Sequence, residues 1–200
     1  VSAFVDSERT VLESNETNNV RNTAPECRFV PPPRDWFKTR VKWSWSGSPT
    51  APGYDQVVAA PVVGDLTGDG IPEVVFPAYR LPETEGVLFA LDGATGQEVF
   101  RAEAKVATFA GIAMGDLDRD GLPEIVATDP SQTRLLAFEH DGSLKWRTEP
   151  ILTMSSSFGG LSMAAPSIAD LDGDGGPEVV IGSGVVRGHD GSIVWLGEPG

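Results

Sequence analysis

Cysteine, histidine and basic residues are scarce in this 200-residue chain, and no long apolar run is present. A lone cysteine, Cys27, cannot close an internal disulfide; it is either a free thiol or half of a bridge to sequence outside the chain. Against 29 Asp and Glu stand only 15 Lys and Arg, a net charge of −14. That balance excludes nucleic acid as an expected partner, because a polyanion binder needs a basic stripe to displace counterions. It disfavours an anionic membrane surface for the same reason. No stretch approaches the roughly 18 apolar residues of a membrane span, so membrane insertion of this segment is not expected. The opening VSAFVDSERT has no basic region followed by an apolar run, so it is not expected to be a signal peptide. We expect the chain to be an excerpt of a longer, extracellular protein.

What is plentiful is glycine and proline, 23 and 16 residues, against a usual combined share of about 12%. With 40% hydrophobic residues the chain can still build a core, so the composition reads as turn-dense and all-β rather than disordered.

The turns repeat. Three segments align without gaps: DLTGDGIPEVV from Asp65, DLDRDGLPEIV from Asp116 and DLDGDGGPEVV from Asp170. Their starts lie 51 and 54 residues apart, a period that suits a four-stranded blade. Each is followed by an apolar run, an Asp-Gly turn and a second run ending in an aromatic residue: VLFALDGATGQEVF, LLAFEHDGSLKW and VVRGHDGSIVW. That is a hairpin signal. Strand, acidic loop, strand, strand, turn, strand is the order of a β-propeller blade.

The predicted fold is therefore a partial β-propeller over 41–200, with blades at about 41–102, 103–148 and 149–200. Val41-Lys42-Trp43 matches the last-strand pattern Leu144-Lys145-Trp146 and is expected to be one extra outer strand. Three blades do not close a ring, so the remaining blades are expected in sequence beyond this chain. Residues 24–40, with Pro31-Pro32-Pro33, read as a stiff linker. In 1–23, Phe4-Val5-Asp6 and Thr10-Val11-Leu12 flank a polar turn and read as the closing hairpin of a β-sandwich.

The acidic loops resemble the FG-GAP repeats of integrin α-subunit propellers and the related bacterial VCBS repeats, whose loop reads D-x-[DN]-x-D-G-x-x-[DE]. The resemblance covers about Val41 to Gly200. Ala90 to Gly96 is also similar to the ALDGxTG strands of quinoprotein-type propellers, without any quinone-site residue. Glu13 to Asn19, ESNETNN, resembles the closing motif of bacterial CARDB modules, which are Ig-like. The two main resemblances imply an extracytoplasmic protein that works in adhesion or ligand binding.

In a loop of this spacing, carboxylates at positions 1, 3, 5 and 9 can converge while glycine at position 6 allows the sharp turn. Calcium suits such a cage, since it accepts six to eight oxygens in a forgiving geometry. Up to three calcium ions are expected. The second loop offers Asp116, Asp118, Asp120, the carbonyl of Leu122, and Glu124. The third offers Asp170, Asp172, Asp174, the carbonyl of Gly176, and Glu178. In the first, Asp65, Asp69, the carbonyl of Ile71 and Glu73 are joined by Thr67, which replaces an acid and should weaken the site. An EF-hand is excluded, because position 12 would need Glu and holds Phe76, Ala127 and Ile181. Eleven of the 29 carboxylates lie in these loops, so the acidity of the chain is largely local.

Other chemistry finds few residues. His140 and His189 precede equivalent Asp-Gly turns one blade apart and read as turn residues. Trp43, Phe100, Trp146 and Trp195 recur in phase and read as packing between strands or blades rather than a sugar-stacking surface. Trp36 and Trp45 lie outside that phase and can pack the linker onto the propeller. The Ser155–Ser157 run has no neighbouring base or G-x-S-x-G elbow, and Met154 to Gly160 reads as a flexible loop. Two functions remain: an extracellular calcium-binding module for a protein or carbohydrate ligand at the cell surface, without catalysis, or the propeller part of a secreted polysaccharide lyase or hydrolase.

Overall fold

In a computed structural model of the chain, residues 3–4, 20–21, 40–83, 85–151 and 164–197 are described. The polypeptide divides into two units, Val1–Arg40 and Val41–Gly200. In the first, β1 (Ala3–Phe4) pairs antiparallel with β2 (Val20–Arg21), Phe4 opposite Val20. The segment 10–12, the proline run, the CARDB-like motif at 13–19 and Trp36 lie outside the described residues, as does the expected loop at 154–160.

In the second unit, the β-branched and aromatic residues after each Pro-Glu step pair into three four-stranded antiparallel meanders. The first holds β3 (Val62–Gly64), β4 (Glu73–Tyr79), β5 (Glu85–Asp92) and β6 (Glu98–Ala107). The second holds β7 (Ala113–Gly115), β8 (Glu124–Thr128), β9 (Leu135–Phe138) and β10 (Leu144–Arg147). The third holds β11 (Ser167–Ala169), β12 (Glu178–Ile181), β13 (Gly184–Arg187) and β14 (Ile193–Leu196). Strand β6 runs on to Ala107 because β5 offers it partners back to Glu85. This is the all-β, blade-like architecture that the repeat predicts, with sheets that do not close into a ring. No helix among the described residues is long and apolar enough to cross a membrane.

Side chains alternate across each strand, so a sheet covered on both faces is apolar at every position. In β8, Ile125 and Ala127 point into a core shared with Val75, Leu88 and Ala90 of the first sheet, while Val126 joins Val179, Ile181 and Val186 of the third. In β9, Leu136 and Phe138 take the first of these cores, Leu135 and Ala137 the second. The second blade is thus a slab between two cores. The outer face of the first sheet is covered by its own preceding segment: Trp43, Trp45, Ala51 and Tyr54 pack on Phe76, Ala78 and Phe89. Trp45 stands edge-on to Phe76, with ring centroids 4.9 Å apart.

Val41–Trp43 differs from expectation. It forms no strand, since no neighbour among the described residues offers it a ladder. Its indole is nevertheless placed as the repeat demands. Trp43 Nε1 donates to the Gly93 carbonyl at 3.1 Å, as Trp146 Nε1 donates to that of Gly188 at 2.7 Å. Each aromatic lies on the hairpin turn of the following blade: Trp43 over Gly96, Phe100 over Gly142, Trp146 over Gly191. Those three glycines have φ of 75°, 84° and 70°, and a β-carbon there would come within 2.7, 2.4 and 2.7 Å of the ring. Left-handed backbone and a close aromatic thus both require glycine. The first blade's turn under the ring is therefore Thr95-Gly96, not the Asp92-Gly93 that the sequence aligns with Asp141-Gly142.

At the far side of the third blade the pattern lacks its cover. Trp195 is 57% exposed, beside exposed Ile193, Val194 and Leu196. Leu171 is exposed as well, whereas its equivalents Leu66 and Leu117 are buried in the cores between successive blades.

Candidate metal-binding loops

Each acidic loop joins the first two strands of its sheet, and one hydrogen-bond scheme shapes all three. The first aspartate turns back to cap the loop. Asp65 accepts from the N–H of Gly68 and Gly70, Asp116 from Arg119 and Gly121, Asp170 from Gly173 and Gly175, all at 2.7–3.1 Å. The glutamate at position 9 opens the second strand and points inward. Its Oε2 accepts the N–H of position 2: Leu66 for Glu73, Leu117 for Glu124, Leu171 for Glu178. All three glutamates are buried.

In two loops, three carboxylates converge. Oxygens of Asp116, Asp118 and Glu124 lie within 4.8 Å of one another, and so do those of Asp170, Asp172 and Glu178. Each group combines two exposed aspartates with one buried glutamate. The fifth-position aspartates stand apart from these groups. Asp120 accepts the N–H of Leu122 and Asp174 that of Gly176, as Asp69 accepts that of Ile71. In the first loop Thr67 occupies the position that Asp118 and Asp172 hold in the others, so Asp65 and Glu73 have no third acid there. Hard oxygens gathered around a buried carboxylate suit a hard divalent cation, and both groups could hold one.

The loops sit side by side on successive blades. A β-carbon on Gly68 of the first loop would lie 3.3 Å from Leu122 of the second. Arg119 of the second reaches the third, its Nη2 3.2 Å from the Asp174 carbonyl and 3.4 Å from its carboxylate. Arg119 is also one of two described non-glycine residues with positive φ, at 69°. It occupies a position that is glycine in the other two loops, a backbone strain of about 1 kcal/mol.

One participant in the second loop is not announced by the motif. Lys145, on the outer strand β10, places Nζ 2.6 Å from Asp118 Oδ2, 2.8 Å from Glu139 Oε1 and 3.6 Å from Glu124 Oε1. Burial works against the ammonium, but hydrogen bonds to Asp118 and Glu139 outweigh it, and the proton is held more tightly than on an ordinary lysine. The same hydrogen bond keeps Asp118 below the usual carboxylate range. Burial pushes Glu124 above that range, opposed by the Leu117 N–H and by Lys145. The sequence offers Lys145 only as part of Leu-Lys-Trp. The signal that could have found it is the contrast with Val194 at the same step of the third repeat.

The histidines occupy the hairpin turns, where His189 Nε2 lies 3.2 Å from Asp190 of its own turn.

The family model described as FG-GAP-like repeat matches residues 92–181. No curated protein is matched. Among solved structures, the biofilm matrix protein Bap1 of V. cholerae is similar at 23% identity and a TM-score of 0.50, covering 80% of this chain and 34% of its own. Rhamnogalacturonan lyase YesW is 24% identical with a TM-score of 0.49, over 68% of this chain and 30% of its own. The chain thus spans about a third of the length of these proteins. Its three blade-like sheets form a propeller-like fold, and residues 92–181 of it resemble the FG-GAP-like repeat.

Proposed function

We propose that residues 41–200 are part of a calcium-stabilised, extracytoplasmic β-propeller module that binds a protein or carbohydrate ligand and is adhesive rather than catalytic. The observation that carries this reading is the convergence of Asp116, Asp118 and Glu124, and again of Asp170, Asp172 and Glu178, in equivalent loops of adjacent blades. Calcium is favoured over magnesium because the cage is an irregular loop, not a near-ideal octahedron. A further ion at Asp65, Asp69 and Glu73, with Thr67 and the Ile71 carbonyl, would bind more weakly for want of one charge. In the two acid-rich loops, Asp120 and Asp174 would complete the proposed ligand sets, with the carbonyls of Leu122 and Gly176, by turning inward from the N–H groups they now accept from.

The ion's role is structural: it would fix each first turn and make folding depend on metal. A row of stiffened loops along one end of the blades is a scaffold for a ligand. Extracellular fluid, where calcium is millimolar, suits such sites, and a blade fold shared with a biofilm matrix protein is in keeping with that place.

The uncovered side of the third blade completes the proposal. Trp43, Phe100 and Trp146 each lie on the next blade's turn, so exposed Trp195 and Leu171 are the seat for one more blade of this kind. Supplying a further repeat at that side should shield Trp195 from acrylamide quenching; unchanged quenching argues against that seat.

Thermal unfolding in millimolar calcium and in excess chelator tests the metal. A higher Tm with calcium is expected, and an identical Tm removes the reading. Glycan-array binding without product release is expected of an adhesive module, whereas unsaturated sugar products would make it part of a lyase.

A further inference from the structure

The proposed cation sites are not equivalent, and the difference lies in one side chain. In the third loop, no ion pair among the described residues reaches Asp170, Asp172 or Glu178; Arg119 touches only Asp174, outside the converging group. The second loop instead has Lys145 at two of its three converging carboxylates, Asp118 and Glu124, and bonded to Glu139 beside them. Glu124 is wholly buried, and its Oε1 has no hydrogen-bond partner. An orphaned buried carboxylate oxygen is costly unless a charge faces it, and the ammonium at 3.6 Å is the cation that does so. Lys145 is itself only 12% exposed and anchored at two points, so it is a fixed charge, not a wandering surface lysine.

We propose that Lys145 is a tethered cation standing in for a divalent ion at the second loop. This rests on the cation reading above and refines it: the second loop is ordered without metal, and the third is the calcium-responsive one. Strand β14 carries Val194 at the step where β10 carries Lys145; Arg187 stands opposite Glu178 in the ladder, but it bonds to Ser192 and, among the described residues, makes no ion pair with the converging acids. For calcium to enter the second loop, the lysine must withdraw from Asp118 and Glu124, and the ion must compete with a charge that never dilutes away.

The test is calorimetric titration of the 200-residue chain with calcium, alongside Lys145→Met, which keeps most of the aliphatic stem, and Lys145→Val, which copies the third blade. Both variants should bind an additional calcium that the unaltered chain does not, and adding Asp118→Ala should abolish it. Asp172→Ala in the unaltered chain should remove the binding at the third loop. If Asp172→Ala removes a site but the lysine variants titrate like the unaltered chain, the tethered-cation proposal is overturned while the cation reading stands. If no form binds calcium, the cation reading fails, and this proposal with it. Should Lys145→Val not fold without metal, recovery of native circular dichroism on adding calcium, absent when Asp118→Ala is also present, supports the proposal; no recovery counts against it.

Discussion

The second and third blades are built from nearly the same sentence of sequence, yet they live under different conditions. The second is covered on both faces and its acidic loop holds an internal ammonium. The third is covered on one face, and its equivalent loop has only carboxylates at its converging group. A repeat therefore specifies a local shape, while its neighbours and one substituted side chain decide what that shape needs from outside. On the readings proposed above, the second blade is self-sufficient, and the third leans on an ion and on a covering surface.

The widest expected difference concerns the tryptophans. Trp146→Ala removes a buried indole and its bond to Gly188, and should cost about 3–5 kcal/mol in denaturant unfolding. Trp195→Ala, on the exposed side, should stay within about 0.5 kcal/mol; equal losses would mean that the two faces are equally covered. Calcium comes next. At an ion concentration one hundred times the dissociation constant, a single site adds about 2.7 kcal/mol. Asp172→Ala should abolish most of that gain in Tm, and Asp118→Ala should leave most of it. Glycine substitutions should separate turn from loop. Gly191→Ala meets both a φ of 70° and the Trp146 ring, for about 1–3 kcal/mol. Gly173→Ala has a φ of 77° but open space around it, for about 1 kcal/mol.

Acid should give the smallest effect and the least difference between blades. Hydrogen bonds from Thr95 and Ser143, side chain foremost, hold Asp92 and Asp141 below the usual carboxylate range, and the Ser192 N–H does so for Asp190. Their folded-state values lie below the unfolded ones, so their stabilisation is complete above about pH 4 and is lost as pH falls through the lower, folded values. Tm measured across that range should decline less steeply in Asp190→Asn.

Much of this was legible in the residues. A nine-residue pattern recurring three times fixes where each sheet begins, and alternating apolar runs fix the strands after it. The phase of the aromatics was readable too. What each ring touches was not, because its seat is on a different blade and the turn there varies by a residue between repeats. The role of Lys145 is hidden in the sequence for a similar reason. The lysine is 27 residues from Asp118, on a strand whose neighbours in sequence describe only a hairpin. Val41–Trp43 carries the letters of a strand, but a strand is made by its ladder, and none is offered there.

The aromatic seats also impose an order in time. Each ring precedes the turn that receives it by some 42 to 53 residues, which at about 5–20 residues per second is about 2–10 s of synthesis. Until its turn has been made, the ring of the newest blade has nothing to lie on. A growing chain therefore carries one unsheltered aromatic at its advancing front, passed from blade to blade as each new turn appears.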